Sequence, residues 1–145
     1  MDELVNEFYS TYIAIKNTEA VKELRKYSEG RALVLVYLSQ YLEGEVLPSE
    51  ISKACNLPPA RITTFLNELE KSGEIARKLD LEDRRKVRVV LTDKGEAHAK
   101  KVVKTIQLAI KKIIKQMGEE NASSLIKNME QVLSAINSLK ENEDE

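Results

Sequence analysis

The chain has 145 residues, 32% of them charged and 5% aromatic, with no Trp and a formal net charge of −1; that is enough for one compact core and too little for several. One cysteine, Cys55, excludes an internal disulfide framework, and no apolar run approaches the roughly 20 residues that span a bilayer. The acidic opening MDELVNEFYS has neither the basic nor the apolar region of a secretory signal, so a cytoplasmic protein without a membrane partner is expected.

Few Gly and Pro beside many charges predict a mainly α-helical chain. Leu4, Phe8, Tyr12 and Ile15 recur at three- and four-residue spacing and predict an amphipathic helix over 2–26 with no core of its own to cover. Ser28 suits the N-cap of a second helix over 29–42, whose run ALVLVYLSQYL is apolar nearly all round and so belongs in the middle of a core. After Gly44, Pro48 fits the first turn of a short third helix ending near Cys55, with Ile51 and Ala54 turned inward. Asn56 suits a left-handed cap, and Leu57 anchors the turn that follows.

Pro58 and Pro59 open a fourth helix that ends near Ser72, with Gly73 as its cap. Ile62, Phe65, Leu66 and Leu69 share one face; at about 100° per residue, Ala60, Thr64, Asn67 and Lys71 fall opposite, flanked by Arg61 and Thr63. A packed side and a polar side, with small residues near the N-terminal end, is the layout that lets a helix enter the DNA major groove. Two strands follow, over 75–79 and 86–91, joined by the charged loop DLEDRR. Thr92 is a good N-cap with Asp93 in the positive end of the next helix dipole. That helix, over 93–117, carries Val102, Val103, Ile106, Ile110, Ile113 and Met117. After Gly118, a last helix over 119–140 places Leu125, Met129, Val132, Ile136 and Leu139 at heptad-like spacing.

In that order the pieces predict a mainly α fold with a small β-hairpin wing: a winged helix-turn-helix lobe over 29–95 and a helical dimerisation region from 1–28 and 96–140, within a single domain of residues 1–145 that ends in an acidic disordered tail over 141–145. The outer helices carry more apolar stripe than one small domain covers. Leu4, Phe8 and Tyr12, and Leu125, Met129, Val132, Ile136 and Leu139, are therefore expected in a dimer interface. Net charge alone argues against nucleic acid, but its distribution does not. Arg77 to Arg88 holds six Lys/Arg against three acids, and Lys94 to Lys115 holds seven Lys against one acid. A localised phosphate-facing surface has that pattern; for the later lysines a solvated helix face is an equally natural reading.

The run Asp80-Leu81-Glu82-Asp83-Arg84-Arg85-Lys86-Val87, with Val89-Val90-Leu91-Thr92-Asp93-Lys94-Gly95 after it, closely resembles the wing signature of the MarR family of transcriptional regulators. The upstream PPARITTFLNELEKSGEI looks like that family's recognition helix, ending in Leu-Glu-x-x-Gly. The resemblance implies a triangular homodimer that binds a palindromic or pseudo-palindromic operator on double-stranded DNA, with its two recognition helices in successive major grooves. It implies that Arg85 reaches the minor groove and that Asp83 pairs with it and holds its orientation. Ala60, Arg61, Thr63, Thr64 and Asn67 take the groove-facing positions. Two residues depart from the pattern: Thr64 stands where many relatives carry Arg, and Glu68 where a basic residue is common. Pro58-Pro59 also removes two N–H groups that could meet a phosphate. Members of the family often take small aromatic effectors between the dimerisation helices and the DNA-binding lobe. Tyr27 and Tyr37 are candidates for such a lining, against the plainer reading that they pack.

For Arg84, Arg85, Lys86 and Arg88 the reading is DNA contact by the wing, weighed against a solvated hairpin whose ion pairs are worth about 0–1 kcal/mol each. Arg61, near its helix N-terminus, can make a bidentate guanine contact. Cys55 is read as a small buried hydrophobe, and His98, the one histidine, cannot by itself hold a metal. No nucleophile–base pairing, phosphate loop or metal cluster is present in the sequence, so neither an enzyme nor a cofactor is expected. The function expected is that of a transcriptional regulator, a repressor acting as a homodimer on DNA and relieved by an effector. The alternative is a winged helix used as a protein-interaction or architectural module.

Overall fold

A computed structural model describes residues 1–41, 44–80 and 83–141. Leu81 and Glu82 of the expected wing loop, Leu42 at the end of the expected second helix, and residues 142–145 of the expected tail lie outside the described residues. Among the described residues there are seven helices and one two-stranded antiparallel hairpin, in the order α1 (Asp2–Asn17), α2 (Glu19–Ser28), α3 (Gly30–Leu38), α4 (Pro48–Cys55), α5 (Pro59–Lys71), β1 (Ile75–Leu79), β2 (Val87–Leu91), α6 (Asp93–Met117) and α7 (Glu119–Glu141). Two compact units divide the chain, Met1–Ile106 and Gln107–Glu145.

The N-terminal elements differ from expectation. The single helix over 2–26 is two, broken at Thr18, which is extended at φ −65°, ψ 144°. Its hydroxyl donates to the Ile15 carbonyl at 2.8 Å and accepts from the Val21 N–H at 3.4 Å, closing one helix and capping the next. Ser28 does not cap α3. It is the last residue of α2 and its hydroxyl donates back to the Leu24 carbonyl at 3.2 Å. The chain turns instead at Gly30, whose φ of +61° suits a residue without Cβ. α3 stops at Leu38 and gives way to a 3-10 turn, Ser39–Tyr41.

From α4 onward, the caps Asn56, Gly73 and Thr92 act as expected. Asn56 caps α4 at φ 50°, ψ 46°. Ser52 then ties the helix-turn-helix turn by donating its hydroxyl to the Leu57 carbonyl at 2.6 Å. The Glu50 carboxylate accepts the Leu47 N–H at 2.7 Å, satisfying a donor ahead of the helix. α5 ends in two reversed bonds around Gly73, at φ +74°: the Gly73 N–H meets the Glu70 carbonyl at 2.9 Å and the Glu74 N–H meets the Leu69 carbonyl at 2.8 Å. Thr92 caps α6 by accepting the Gly95 N–H at 3.1 Å.

The core of the first unit gathers Val34, Leu35 and Leu38 of α3, Ile51 of α4, Ile62, Leu66 and Leu69 of α5, Ile75 and Val89 of the hairpin, and Ala99 of α6. α3 is its centre, as an all-round apolar helix must be. Ala54 is exposed rather than turned inward. Val46 adds a short third edge to the hairpin through a bridge with Val89, with N–H to O distances of 3.0 and 2.8 Å; one residue is too short a signal for the sequence to reveal. Within the second unit α7 starts after Gly118, at φ +82°, and its apolar stripe is exposed along its length. No helix among the described residues is long and apolar enough to cross a membrane.

Candidate nucleic-acid interface

The first unit presents two features from the sequence reading on one lobe. α5 buries Ile62, Leu66 and Leu69 and leaves Ala60, Arg61, Thr63, Thr64 and Asn67 exposed. The burial follows from the helical period, since the apolar residues lie three and four apart. The Thr63 hydroxyl donates to the Pro59 carbonyl at 3.0 Å and that of Thr64 to the Ala60 carbonyl at 3.1 Å. With their protons committed to the helix, both hydroxyls turn acceptor capacity and a methyl group outward. Arg61 lies over the Phe65 ring, its guanidinium carbon 5.9 Å from the centroid, an exposed cation–π contact worth about 0.5–1 kcal/mol.

The hairpin pairs Ile75 with Leu91 and Leu79 with Val87, so the wing projects beyond Leu79 and Val87. Arg85 stands there with 92% of its side chain exposed, its Nε 3.2 Å from Asp83 Oδ1. The same oxygen accepts the Arg85 backbone N–H at 3.1 Å, and Lys86 Nζ lies 3.8 Å from Asp83 Oδ2. Asp83 thus grips the base of Arg85 and leaves its outer N–H groups facing solvent, while Arg84 is exposed.

Arg88 sits differently from its wing companions. It is half-buried, its Nε bonds Asp80 Oδ2, and a terminal nitrogen donates to the Glu45 carbonyl at 3.1 Å. The hydrogen bond to Asp80 pushes the Arg88 guanidinium further up, against the effect of burial. Asp80 is itself buried, and its other oxygen accepts the Asp83 N–H at 2.9 Å. One carboxylate therefore closes the neck of the wing, holding β2 through Arg88 and the loop through Asp83.

Two further groups escaped the sequence reading. Arg77 of β1 donates to Asn67 Oδ1 at 2.8 Å and to Glu70 Oε2 at 2.7 Å. The available signal was parity: Arg77 shares its strand face with the buried Ile75, so a cation there needs partners. Glu74 is buried after the α5 cap, where Ser72 and His98 both bond its carboxylate. Burial pushes its carboxyl up, but the bonds from Ser72 and His98 and the charge of Arg31 outweigh this and leave it below the ordinary value. His98 is thereby occupied within the fold. Cys55 is half-buried against the core, and burial pushes its thiol up, the direction of an inert sulfur.

No protein-family model matches the chain. It is 27% identical over 103 residues to the HTH-type transcriptional repressor YetL of Bacillus subtilis (strain 168), an alignment covering 71% of this chain and 62% of YetL, less than two thirds of that relative. Streptococcus pneumoniae FabT, solved in complex with DNA, matches with a TM-score of 0.70 at 26% identity over 96% of this chain and 99% of FabT. Staphylococcus aureus MepR, also solved with DNA, matches in fold with a TM-score of 0.67 at 20% identity, over 90% of this chain and 96% of MepR. The wing signature, the recognition-helix pattern and this architecture agree with one another, and together they fit the MarR family of winged helix-turn-helix regulators.

Proposed function

We propose that this protein is a sequence-specific, double-stranded DNA-binding transcriptional regulator, a repressor that acts as a homodimer on a palindromic operator. The observation that carries this reading is the joint exposure, on one lobe, of the polar face of α5 and of an Arg85 gripped only at its base. In this reading α5 lies in the major groove with Ala60, Thr63 and Thr64 at the closest approach and Arg61 on a guanine edge. Arg85 enters the flanking minor groove, where a narrow A·T-rich segment concentrates negative potential. Arg84 and Lys86 meet phosphates. Residues 29–95 then form the DNA-binding lobe, and residues 1–28 and 96–140 supply the dimer contacts through the exposed stripes of α1 and α7. A small aromatic effector would act by shifting the population between dimers that can and cannot span both half-sites.

Selection of bound duplexes from a random pool tests this. The expected result is an inverted repeat whose half-sites lie about one helical turn, 10–10.5 base pairs, apart. No enrichment at low salt would overturn the proposal in favour of a winged helix that binds protein.

A further inference from the structure

Asn67 was singled out for its outward position on α5, and the structure adds what holds its amide. Arg77 spreads its guanidinium across one turn of that helix, with one terminal nitrogen 2.8 Å from Asn67 Oδ1 and the other 2.7 Å from Glu70 Oε2. Its side chain is 28% exposed, and that of Glu70 41%. Arginine has five N–H donors and no acceptor. Whatever faces it must accept, so the amide oxygen of Asn67 turns toward β1 and the NH2 group turns away. Glu70 keeps Arg77 in place by taking its other nitrogen in a charge-assisted bond.

We propose that Arg77 is a positioning residue for base recognition: by holding Asn67 Oδ1 it makes the outward face of that amide a pure hydrogen-bond donor, which reads guanine. This rests on the DNA-binding reading above. A free Asn pairs in bidentate fashion with adenine, giving a donor to N7 and an acceptor to the N6 amino group. With its oxygen held by Arg77, Asn67 has only the donors to offer. Guanine presents two acceptors side by side, O6 and N7; adenine presents one beside an amino group; cytosine presents an amino donor. The order of preference at the base that faces Asn67 is therefore guanine over adenine, with cytosine last. The same contact joins α5 to β1, so the donor face is set in register with the hairpin that carries the wing.

The test is selection from a random duplex pool with four proteins: the full-length chain, Asn67→Ala, Arg77→Met and Asn67→Asp, each checked for folding by circular dichroism melting. Asn67→Ala identifies the position that Asn67 reads, as the one guanine that disappears. Arg77→Met is expected to admit adenine there, so that a guanine preference of about tenfold falls to near parity while the rest of the motif is retained. Asn67→Asp keeps a partner for Arg77 but turns acceptors outward, and is expected to switch the same position to cytosine; it stands as the test even if Arg77→Met does not fold. Enrichment of a motif by the unaltered chain that Asn67→Ala leaves unchanged, or a guanine that survives both Arg77→Met and Asn67→Asp, overturns this inference alone. Failure of the unaltered chain to enrich any sequence overturns the DNA-binding reading with it.

Discussion

A Cβ built on Gly95 would stand 1.9 Å from the carbonyl oxygen of Glu74. The first turn of α6 is laid directly on the turn that ends α5: the Thr92 N–H donates to that same carbonyl at 3.1 Å, its hydroxyl to the Gly73 carbonyl at 2.7 Å, and Lys94 Nζ to the Ser72 carbonyl at 2.5 Å. Gly95 is required for this close approach. Gly95→Ala gains about 1 kcal/mol of helix propensity but forces two backbones apart, at a cost of about 3 kcal/mol or more. Urea unfolding should show a net loss larger than that of Gly73→Ala. At Gly73 nothing lies within 4 Å of an added Cβ, and the cost is only the left-handed backbone, about 1–2 kcal/mol. Equal or reversed losses would contradict the packing argument.

The wing arginines should separate into two kinds. Arg85 is 92% exposed and, among the described residues, pairs with Asp83, so Arg85→Ala should change stability by less than about 0.5 kcal/mol while weakening operator binding and reducing the salt slope by about 1. Arg88 is bonded to the buried Asp80 and to the Glu45 carbonyl. Arg88→Met should lower stability measurably, by about 1–3 kcal/mol, because it removes a charge-assisted hydrogen bond from a buried carboxylate. Equal stability effects from the two substitutions would show that Asp80 does not hold the neck of the wing.

This contrast marks where the sequence was legible. Periodicity, caps and turn residues are local, and they located α4, α5, both strands, α6 and α7 to within a residue or two. The break at Thr18 carries no Gly or Pro to mark it in the sequence, and hydroxyl bonds to Ile15 and Val21 decide it. At the candidate interface, exposure of Ala60, Arg61, Thr63, Thr64 and Asn67 followed from the helical period. The roles of Arg77, Asp80 and Glu74 did not, because each depends on a partner distant in sequence: Asn67, Arg88 and His98. Charge counting places Arg88 among the wing cations, and only three-dimensional pairing shows that its guanidinium bonds Asp80 and the Glu45 carbonyl while Arg85 is 92% exposed.

The Glu74 site gives the fold a defined acid sensitivity. Its folded carboxyl lies below the ordinary value because bonds from Ser72 and His98 and the charge of Arg31 outweigh burial. A carboxyl lowered on folding contributes stability above the unfolded pKa, near 4.3, and that contribution fades as pH falls toward the folded value. Melting temperature should therefore decline below about pH 4.3, and Glu74→Gln should make the decline shallower while lowering stability at neutral pH. An identical pH profile in the variant would show that Glu74 is not linked to folding.

The stripe on α7 makes the last prediction. Leu125, Met129, Val132, Ile136 and Leu139 are 44–65% exposed in the single chain. They line one side of a helix and lie in a unit of their own, Gln107–Glu145. Full burial of such side chains gives about 1.5–3 kcal/mol each, so a dimer built on this stripe gains much from it and tolerates no charge in its centre. Leu125→Glu with Ile136→Glu places two carboxylates on the stripe, one in each half, where each would be buried without a partner. Lys127→Glu with Ser134→Glu adds two carboxylates to the opposite face and serves as the control. Sedimentation should give a dimer for the unaltered chain and the control, and a monomer of unchanged helix content for the stripe variant. A stripe variant that dimerises as tightly as the control would remove α7 from the interface and leave Leu4, Phe8 and Tyr12 of α1, themselves 52–65% exposed, as the surface to alter next.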